Sequence, residues 1–243
     1  MKKMESGENI EGETSVLMER KSHFIVDAEG GSRVISNDKG RKKRIAVMAS
    51  GRGTDFQSLI DANKKGHLRC KITILICNNK DAGAIDRAKL NSIPVEIIDH
   101  RGKSRIEFDR EVDEILTKSN VDLIVLAGFM RVLSSWFVSK WRDRIVNIHP
   151  ALLPSFPGTN AHKDALEYGV KITGLTIHLV DEKVDHGPII FQHPVEVMDN
   201  DTEETLSKRV LKQEHIWYPR VVQWLLDGRV KRVGRRIIID RHP

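Results

Sequence analysis

The chain has 243 residues, of which 40% are hydrophobic and 30% charged, with a formal net charge of +6 and an isoelectric point near 9.3. That balance describes a globular protein with one large core, or one domain plus a short appendage, and about 200 residues bury enough surface to fold without disulfides or metals. The positive excess is spread along the chain, so it fits a phosphate-bearing small molecule as well as nucleic acid, and the one compact basic run, Lys39–Arg44, reads first as a solvated approach to a strand.

Residues 1–43 read as an N-terminal extension. Their first part is charged and patternless, while His23-Phe24-Ile25-Val26 and Arg33-Val34-Ile35-Ser36 are candidates for two short strands around Asp27–Ser32. The segment is therefore either an added hairpin or partly disordered, and it is too short for a second catalytic domain. The catalytic or binding domain is expected over residues 44–243. No signal-peptide pattern precedes it, and no stretch is long and apolar enough to span a membrane.

From Arg44 onward, apolar runs alternate with helical patterns. Ile45–Met48, Ile72–Ile76, Val95–Ile98, Leu123–Leu126 and Ile145–Ile148 read as strands. Phe56, Leu59, Ile60 and Ala62 fall at helical spacing after the first run. Arg105–Thr117 is the clearest helix, with Ile106, Val112, Ile115 and Leu116 on its apolar face. Such alternation predicts a Rossmann-like, mostly parallel sheet with helices on both faces. Sheets of that kind bind ligands beyond the carboxyl ends of their strands. Cys70 and Cys77 bracket the second run. Seven strand steps put their Cα atoms about 23 Å apart, far beyond the roughly 7 Å that a disulfide bridges. Both are expected to be free thiols, which makes a reducing cytoplasm the expected location.

The second half changes character. Lys171–Val180 and Pro188–Val197 read as two longer strands joined by a tight turn over Asp181–Gly187, an antiparallel C-terminal part. A helix from about Thr202 to Asp227 follows, with Asp199, Asn200 and Asp201 as cap candidates. Arg229–Asp240 reads as a final hairpin.

Four segments carry candidate chemistry. In Ala49-Ser50-Gly51-Arg52-Gly53-Thr54-Asp55, glycines and the free N–H groups of a helix start suit an anion, and Arg52 favours a monophosphate; a plain tight turn capped by Thr54 or Asp55 is the alternative. Leu126–Leu133 stays apolar past the end of its strand, so Phe129, Met130, Val132 and Leu133 either line a slot for a flat heterocycle or pack in the core. Asn147 and His149 sit two apart at a strand end closed by Pro150, which points both side chains into one space. A neutral donor beside an ionisable one suits acyl transfer to an amine, whose tetrahedral adduct carries an oxyanion that both can stabilise. Asp185, in Val184-Asp185-His186-Gly187-Pro188, either caps its own turn or approaches His149, where it would favour the imidazolium and relay a proton. His162, His178, His186, His193 and His215 show no metal-ligand spacing, and no metal is expected.

Taken in order, these residues resemble the glycinamide ribonucleotide formyltransferases of purine biosynthesis, over about residues 44 to 230. The most specific stretch is Asn147-Ile148-His149-Pro150-Ala151-Leu152-Leu153-Pro154-Ser155-Phe156-Pro157-Gly158; Ala127–Arg131, Val184–Pro188 and Gln213-Glu214-His215 follow the family's spacing. The resemblance implies a formyl group passed from 10-formyltetrahydrofolate, a co-substrate, to the amine of glycinamide ribonucleotide. It implies that Asn147 and His149 stabilise the oxyanion and that Asp185 assists proton transfer. Phe129, Met130, Arg131, Val132 and Leu133, with Asp181 and Val184 in the loop up to Asp185, would receive the pterin. Gly51, Arg52, Gly53, Thr54 and Asp55, with Arg105, would hold the substrate phosphate, and Glu214 the ribose. The implied partners are small molecules, not nucleic acid or membrane, and the protein would be a monomer or a homodimer.

This chain departs from the family pattern in carrying Thr54-Asp55 where Ser-Asn is usual, Leu211 where a Gln is common, and the N-terminal extension. A carboxylate beside a phosphate is unfavourable unless Asp55 turns away or Arg52 compensates. The alternatives are a 10-formyltetrahydrofolate hydrolase, for which the phosphate turn has no purpose, and a non-catalytic nucleotide-binding module, for which Asn147, His149 and Asp185 have none. Methionyl-tRNA formyltransferases carry a C-terminal tRNA-binding domain for which no room is left, and sugar-nucleotide formyltransferases are a minor alternative.

Overall fold

The structure, a computed structural model, describes residues 32–35 and 40–240. The candidate strand His23–Val26 and the turn residues Asp27–Gly31 lie outside them, as does Ser36. Strand β1 is Ser32–Arg33, and Val34 and Ile35 after it are buried in the main core.

The strands and helices that build the domain follow in chain order. They are β2 (Arg44–Ala49), α1 (Thr54–Lys64), β3 (Lys71–Cys77), α2 (Gly83–Leu90), β4 (Val95–Ile97), α3 (Arg105–Lys118) and β5 (Leu123–Leu126). Then come α4 (Ser135–Lys140), β6 (Ile145–His149), α5 (Ala161–Tyr168), β7 (Ile172–Leu179), β8 (Ile189–Glu196), α6 (Glu203–Leu226), β9 (Val230–Val233) and β10 (Arg236–Ile239). Among the described residues the main sheet has seven strands in the order β4-β3-β2-β5-β6-β7-β8. The first five run parallel, whereas β7 and β8 are antiparallel. β1, β9 and β10 form a small antiparallel sheet, so the expected C-terminal hairpin is present and β1 pairs with it.

The central strands carry long apolar runs because both faces are covered. Alternate residues go to opposite layers. Ala46, Met48, Ile74, Ile76, Ile124 and Ile145 pack with Phe108, Val112 and Leu116 of α3 and Phe137 of α4. Ile45, Val47, Ala49, Leu75, Val125 and Val146 pack with Phe56 and Leu59 of α1 and Leu206, Val210, Tyr218 and Val222 of α6. Cys70 and Cys77 are free and buried.

Local chemistry sets the helix ends. At α3, Ser104 Oγ accepts from the Glu107 N–H (3.3 Å) and Glu107 Oε2 accepts from the Ser104 N–H (2.8 Å), a reciprocal cap. At α6 the cap is Thr202, whose Oγ1 accepts from the Thr205 N–H at 3.3 Å. This corrects the expectation of an Asp199–Asp201 cap. The Asp201 carboxylate is instead occupied by Arg209 (2.7 and 2.8 Å) and by the Met198 N–H (2.8 Å).

One hydrogen bond ties α6 to the sheet where the site is built. The fully buried Tyr218 hydroxyl donates to the Leu126 carbonyl at the end of β5 (2.6 Å) and lies 3.2 Å from that of Val146. Tyr218→Phe should lower the unfolding free energy by about 1–2 kcal/mol by leaving buried acceptors without this donor. Urea titration should show the midpoint fall with an unchanged slope; an unchanged midpoint would remove this bond from the account of the core.

Candidate active site

Asn147 and His149 lie two residues apart on β6, at the carboxyl end of the parallel strands. Opposite them on β7 stand His178 and Thr176. His178 Nδ1 is 2.8 Å from the Leu179 carbonyl, so this nitrogen carries the proton and Nε2 accepts. Asn147 Nδ2 is 3.3 Å from that Nε2. Burial pushes the His178 pKa down, which keeps the ring neutral and able to accept. One amide N–H of Asn147 is thereby held, and the other is left to face the cavity.

His149, 3% exposed, has an acceptor at each ring nitrogen. Nε2 is 2.8 Å from the Phe156 carbonyl, and Nδ1 is 3.3 Å from Asp185 Oδ2. That surrounding suits a ring with a proton on both nitrogens. The chain after β6 is folded back to supply the carbonyl. Thr176 Oγ1 donates to Ala151 O (2.7 Å) and accepts from the Leu153 N–H (2.9 Å), while Gln192 Nε2 donates to Leu153 O (2.8 Å).

Asp185 comes from the loop between β7 and β8. It adopts a φ of 49°, which a non-glycine residue rarely takes, and its Oδ2 accepts the Gly158 N–H at 2.8 Å. Gly187 closes the base of this loop: a Cβ there would lie 1.7 Å from the Leu179 carbonyl oxygen. The loop can double back over the sheet only because that position has no side chain.

Asn147, His149, His178 and Asp185 face a cavity of about 230 Å³. Its other wall is the turn after β5, with Phe129, Met130, Arg131, Val132 and Leu133, and its rim includes Asp181 and Val184. The turn is fixed from behind. Ser50 Oγ accepts the Met130 N–H (2.9 Å) and donates to Asn78 Oδ1 (2.6 Å), and the Arg131 guanidinium lies 4.6 Å from the Phe108 ring centroid. An apolar slot edged by a few polar groups suits a flat heterocycle. Among the described residues, no cluster of His, Cys, Asp and Glu is arranged to hold a metal.

The Gly51–Asp55 turn lies at the end of neighbouring β2. Gly53 is the N-cap of α1 at φ 69°, and no side chain caps the helix. Its first N–H groups are left for an anion. The turn packs against α2: Ala84 N–H donates to Gly51 O (3.1 Å) and Arg87 Nε to Arg52 O (2.8 Å), while a Cβ on Gly53 would meet that of Ala84 at 2.7 Å. Arg52 is exposed, and Arg105 is exposed at the first position of α3, outside the lining of the cavity.

Asp55 is turned inward. Its Oδ1 is buried without a hydrogen-bond partner, 3.8 Å from the equally unpartnered His215 Nε2. Burial pushes its pKa up to about 7. Glu214, 6% exposed, is also raised, by burial and then by the charge of Asp55; the Tyr218 hydroxyl is raised by burial and then by both. Two buried anions this close would be costly, and burial therefore favours the protonated form of both carboxyls.

With this geometry in place, comparisons with known proteins settle the family. The Formyl transferase family profile matches residues 43–222. The phosphoribosylglycinamide formyltransferase of Escherichia coli (strain K12) is 40% identical over 188 residues, 77% of this chain and 89% of that one. This chain belongs to the phosphoribosylglycinamide formyltransferase family. The crystal structure of glycinamide ribonucleotide transformylase 1 from Symbiobacterium toebii shares its fold with a TM-score of 0.80 and 39% identity, covering 82% of this chain and 95% of the other. The trifunctional purine biosynthetic protein adenosine-3 of Gallus gallus is 47% identical over 191 residues, 78% of this chain but 19% of its own length. This family member therefore spans about a fifth of such trifunctional relatives.

Motif reading passed over His178, because its role depends on the register of β7 against β6, which no local spacing reveals. The inward turn of Asp55 was equally hidden, and it makes stability pH-dependent. An acid whose folded pKa is raised binds more protons folded than unfolded, so its contribution is fully present below about 3.8 and is lost as pH rises through about 7. At most it amounts to something on the order of 4 kcal/mol. Asp55→Asn should match the parent at pH 4 and melt progressively higher than it toward pH 8. A melting difference that does not change with pH would show that Asp55 is ionised in both states.

Proposed function

We propose that the protein transfers a formyl group from 10-formyltetrahydrofolate to the amine of glycinamide ribonucleotide. The observation that carries this reading is the meeting of Asn147, His149 and Asp185, from two separate segments, on one cavity whose opposite wall is an apolar turn. The reading takes the pterin into that slot, against Phe129–Leu133 and the loop with Asp181 and Val184. It takes the acceptor phosphate to the uncapped start of α1, at Gly51–Thr54, with Arg52 and Arg105 supplying positive charge and Glu214 the ribose contact. The free, buried thiols fit a reducing compartment, and the cytoplasm is the location proposed.

The acceptor amine attacks the formyl carbon and forms a C–N bond, and the carbonyl electrons move onto oxygen. The free N–H of Asn147, its partner N–H held by His178, donates to that oxyanion, and His149 does so through Nδ1, which its 3.3 Å contact leaves shared between Asp185 and the oxyanion. Donors fixed before the reaction need no reorganisation when the charge appears. Collapse of the adduct breaks the bond to N10 of the folate and returns the electrons of that bond to nitrogen. The proton lost by the attacking amine passes through the Asp185 carboxylate to that nitrogen. Asp185 also holds His149 in place, so one carboxylate serves orientation and proton transfer.

The decisive experiment follows 10-formyltetrahydrofolate with and without glycinamide ribonucleotide. Consumption should require the acceptor. Equal consumption without it would mean that water is the acceptor, and none in either case would mean a binding protein. His149→Ala should lower turnover roughly a hundredfold or more by deleting an oxyanion donor, and near-parental turnover would remove His149 from the mechanism.

A further inference from the structure

The β9–β10 hairpin lies beyond residue 222, where the family match ends. It nonetheless reaches the loop that carries Asp185. Arg235, in the hairpin turn next to Gly234 (φ 61°), donates through Nη2 to the His186 carbonyl, and its Nη1 lies 3.5 Å from His186 Nδ1. The His186 ring is tied across the loop to Asp181, with Nδ1 2.7 Å from Oδ2. Asp181 Oδ1 in turn accepts the Lys183 N–H at 3.0 Å. The loop thus closes on itself between residues 181 and 186, and the hairpin seizes it at His186. The next residue back is Asp185, held at its unusual φ with Oδ2 3.3 Å from His149 Nδ1.

The hairpin is itself anchored. Arg232 Nη1 pairs with the buried Asp143, just ahead of β6, and Arg232 Nε donates to the Gly234 carbonyl at 2.7 Å. Arg232 therefore ties the hairpin to the entry of the strand that carries Asn147 and His149, and Arg235 ties it to the loop that carries Asp185. Two segments that must meet within hydrogen-bond distance are referenced to one rigid turn.

We propose that Arg235 is a positioning residue for the formyl transfer read above: by holding the His186 carbonyl, it sets where Asp185 meets His149. Arg235 touches neither reacting group and acts through the loop backbone. A shift of about 1 Å in such a contact changes rates by up to a hundredfold. A backbone carbonyl is the acceptor, so a lysine that reaches it restores part of the hold, whereas an alanine restores none.

The test compares Arg235→Ala and Arg235→Lys with the parent in two measurements. In the free protein, amide hydrogen exchange over residues 181–187 and at Gly158 should speed several-fold in Arg235→Ala and be partly restored in Arg235→Lys. In the transfer assay, Arg235→Ala should lose about tenfold in kcat, keep its KM for glycinamide ribonucleotide, and show a displaced pH profile; Arg235→Lys should recover part of both. Parental exchange in the loop would overturn the proposal, as would a parental kcat and pH profile in an active Arg235→Ala. A fall in kcat that lysine does not relieve, accompanied by a fall in melting temperature, would overturn it too by assigning Arg235 to stability. Because exchange needs no substrate, faster loop exchange in Arg235→Ala, found alongside a parent that transfers no formyl group, would leave the clamp standing and remove the transfer reading alone.

Discussion

The site depends on one strand having neighbours of opposite sense. Among the described residues, β6 alone in the main sheet pairs parallel on one side, with β5, and antiparallel on the other, with β7. The parallel side brings the carboxyl end of β6 level with the ends of β5 and β2, so the Phe129–Leu133 turn and the Gly51–Asp55 turn open toward the same edge. The antiparallel side does something that a further parallel strand cannot. It sets His178 directly opposite Asn147 and sends the chain into a loop that returns over the same face. Donor amide, imidazole and carboxylate then meet at one edge of the sheet.

Such a cluster is expensive to bury, and the surrounding contacts show how the expense is contained. Each polar atom is matched to a partner that fits one protonation pattern. His178 gives its proton to a carbonyl and accepts from Asn147, His149 faces an acceptor at both nitrogens, and Asp185 takes a backbone N–H beside its contact with His149. Satisfied networks of this kind hold a single arrangement, because any rotation leaves a buried group unpaired. The second buried cluster, Asp55, Glu214 and His215, follows the opposite logic. Asp55 Oδ1 and His215 Nε2 lack hydrogen-bond partners, and burial raises the pKa of Asp55 and Glu214.

These two clusters also mark where sequence reading succeeds and stops. The runs 45–48, 72–76, 123–126 and 145–148 were legible as strands because central parallel strands are buried on both faces and stay apolar throughout. α3 was legible because its apolar face and Ser104 cap are local features. Asn147 and His149 were legible as a pair because strand period alone puts them on one side. Asp185 was legible as a candidate but its approach to His149 was not, since that needs a left-handed residue and the glycine at 187 acting together. The cap of α6 was misplaced onto Asp199–Asp201 because the helix begins at Glu203, one residue later than its apolar pattern suggests, which makes Thr202 the N-cap and leaves Asp201 to Arg209 and the Thr205 hydroxyl. Local rules rank residue types for a position; they do not fix the boundary to one residue.

The C-terminal hairpin was legible as a hairpin, but its tie to the Asp185 loop was not. Its residues carry no motif, and Val230–Val233 and Arg236–Ile239 form a small sheet with β1 rather than extending the main one. The loop it touches has few apolar contacts of its own, and its Val184 is largely exposed. A loop of that kind opens locally at little free-energy cost unless something outside it holds the backbone. Inside the loop, the Asp181–His186 pair fixes shape but not location, because both partners move together. Location comes from contacts outside the loop: the Gly158 N–H on Asp185, Arg142 on Glu182 at 3.3 Å, and the hairpin, pinned by Arg232 to Asp143. The meeting of Asp185 with His149 therefore depends on two chain segments plus the contacts that hold them against each other.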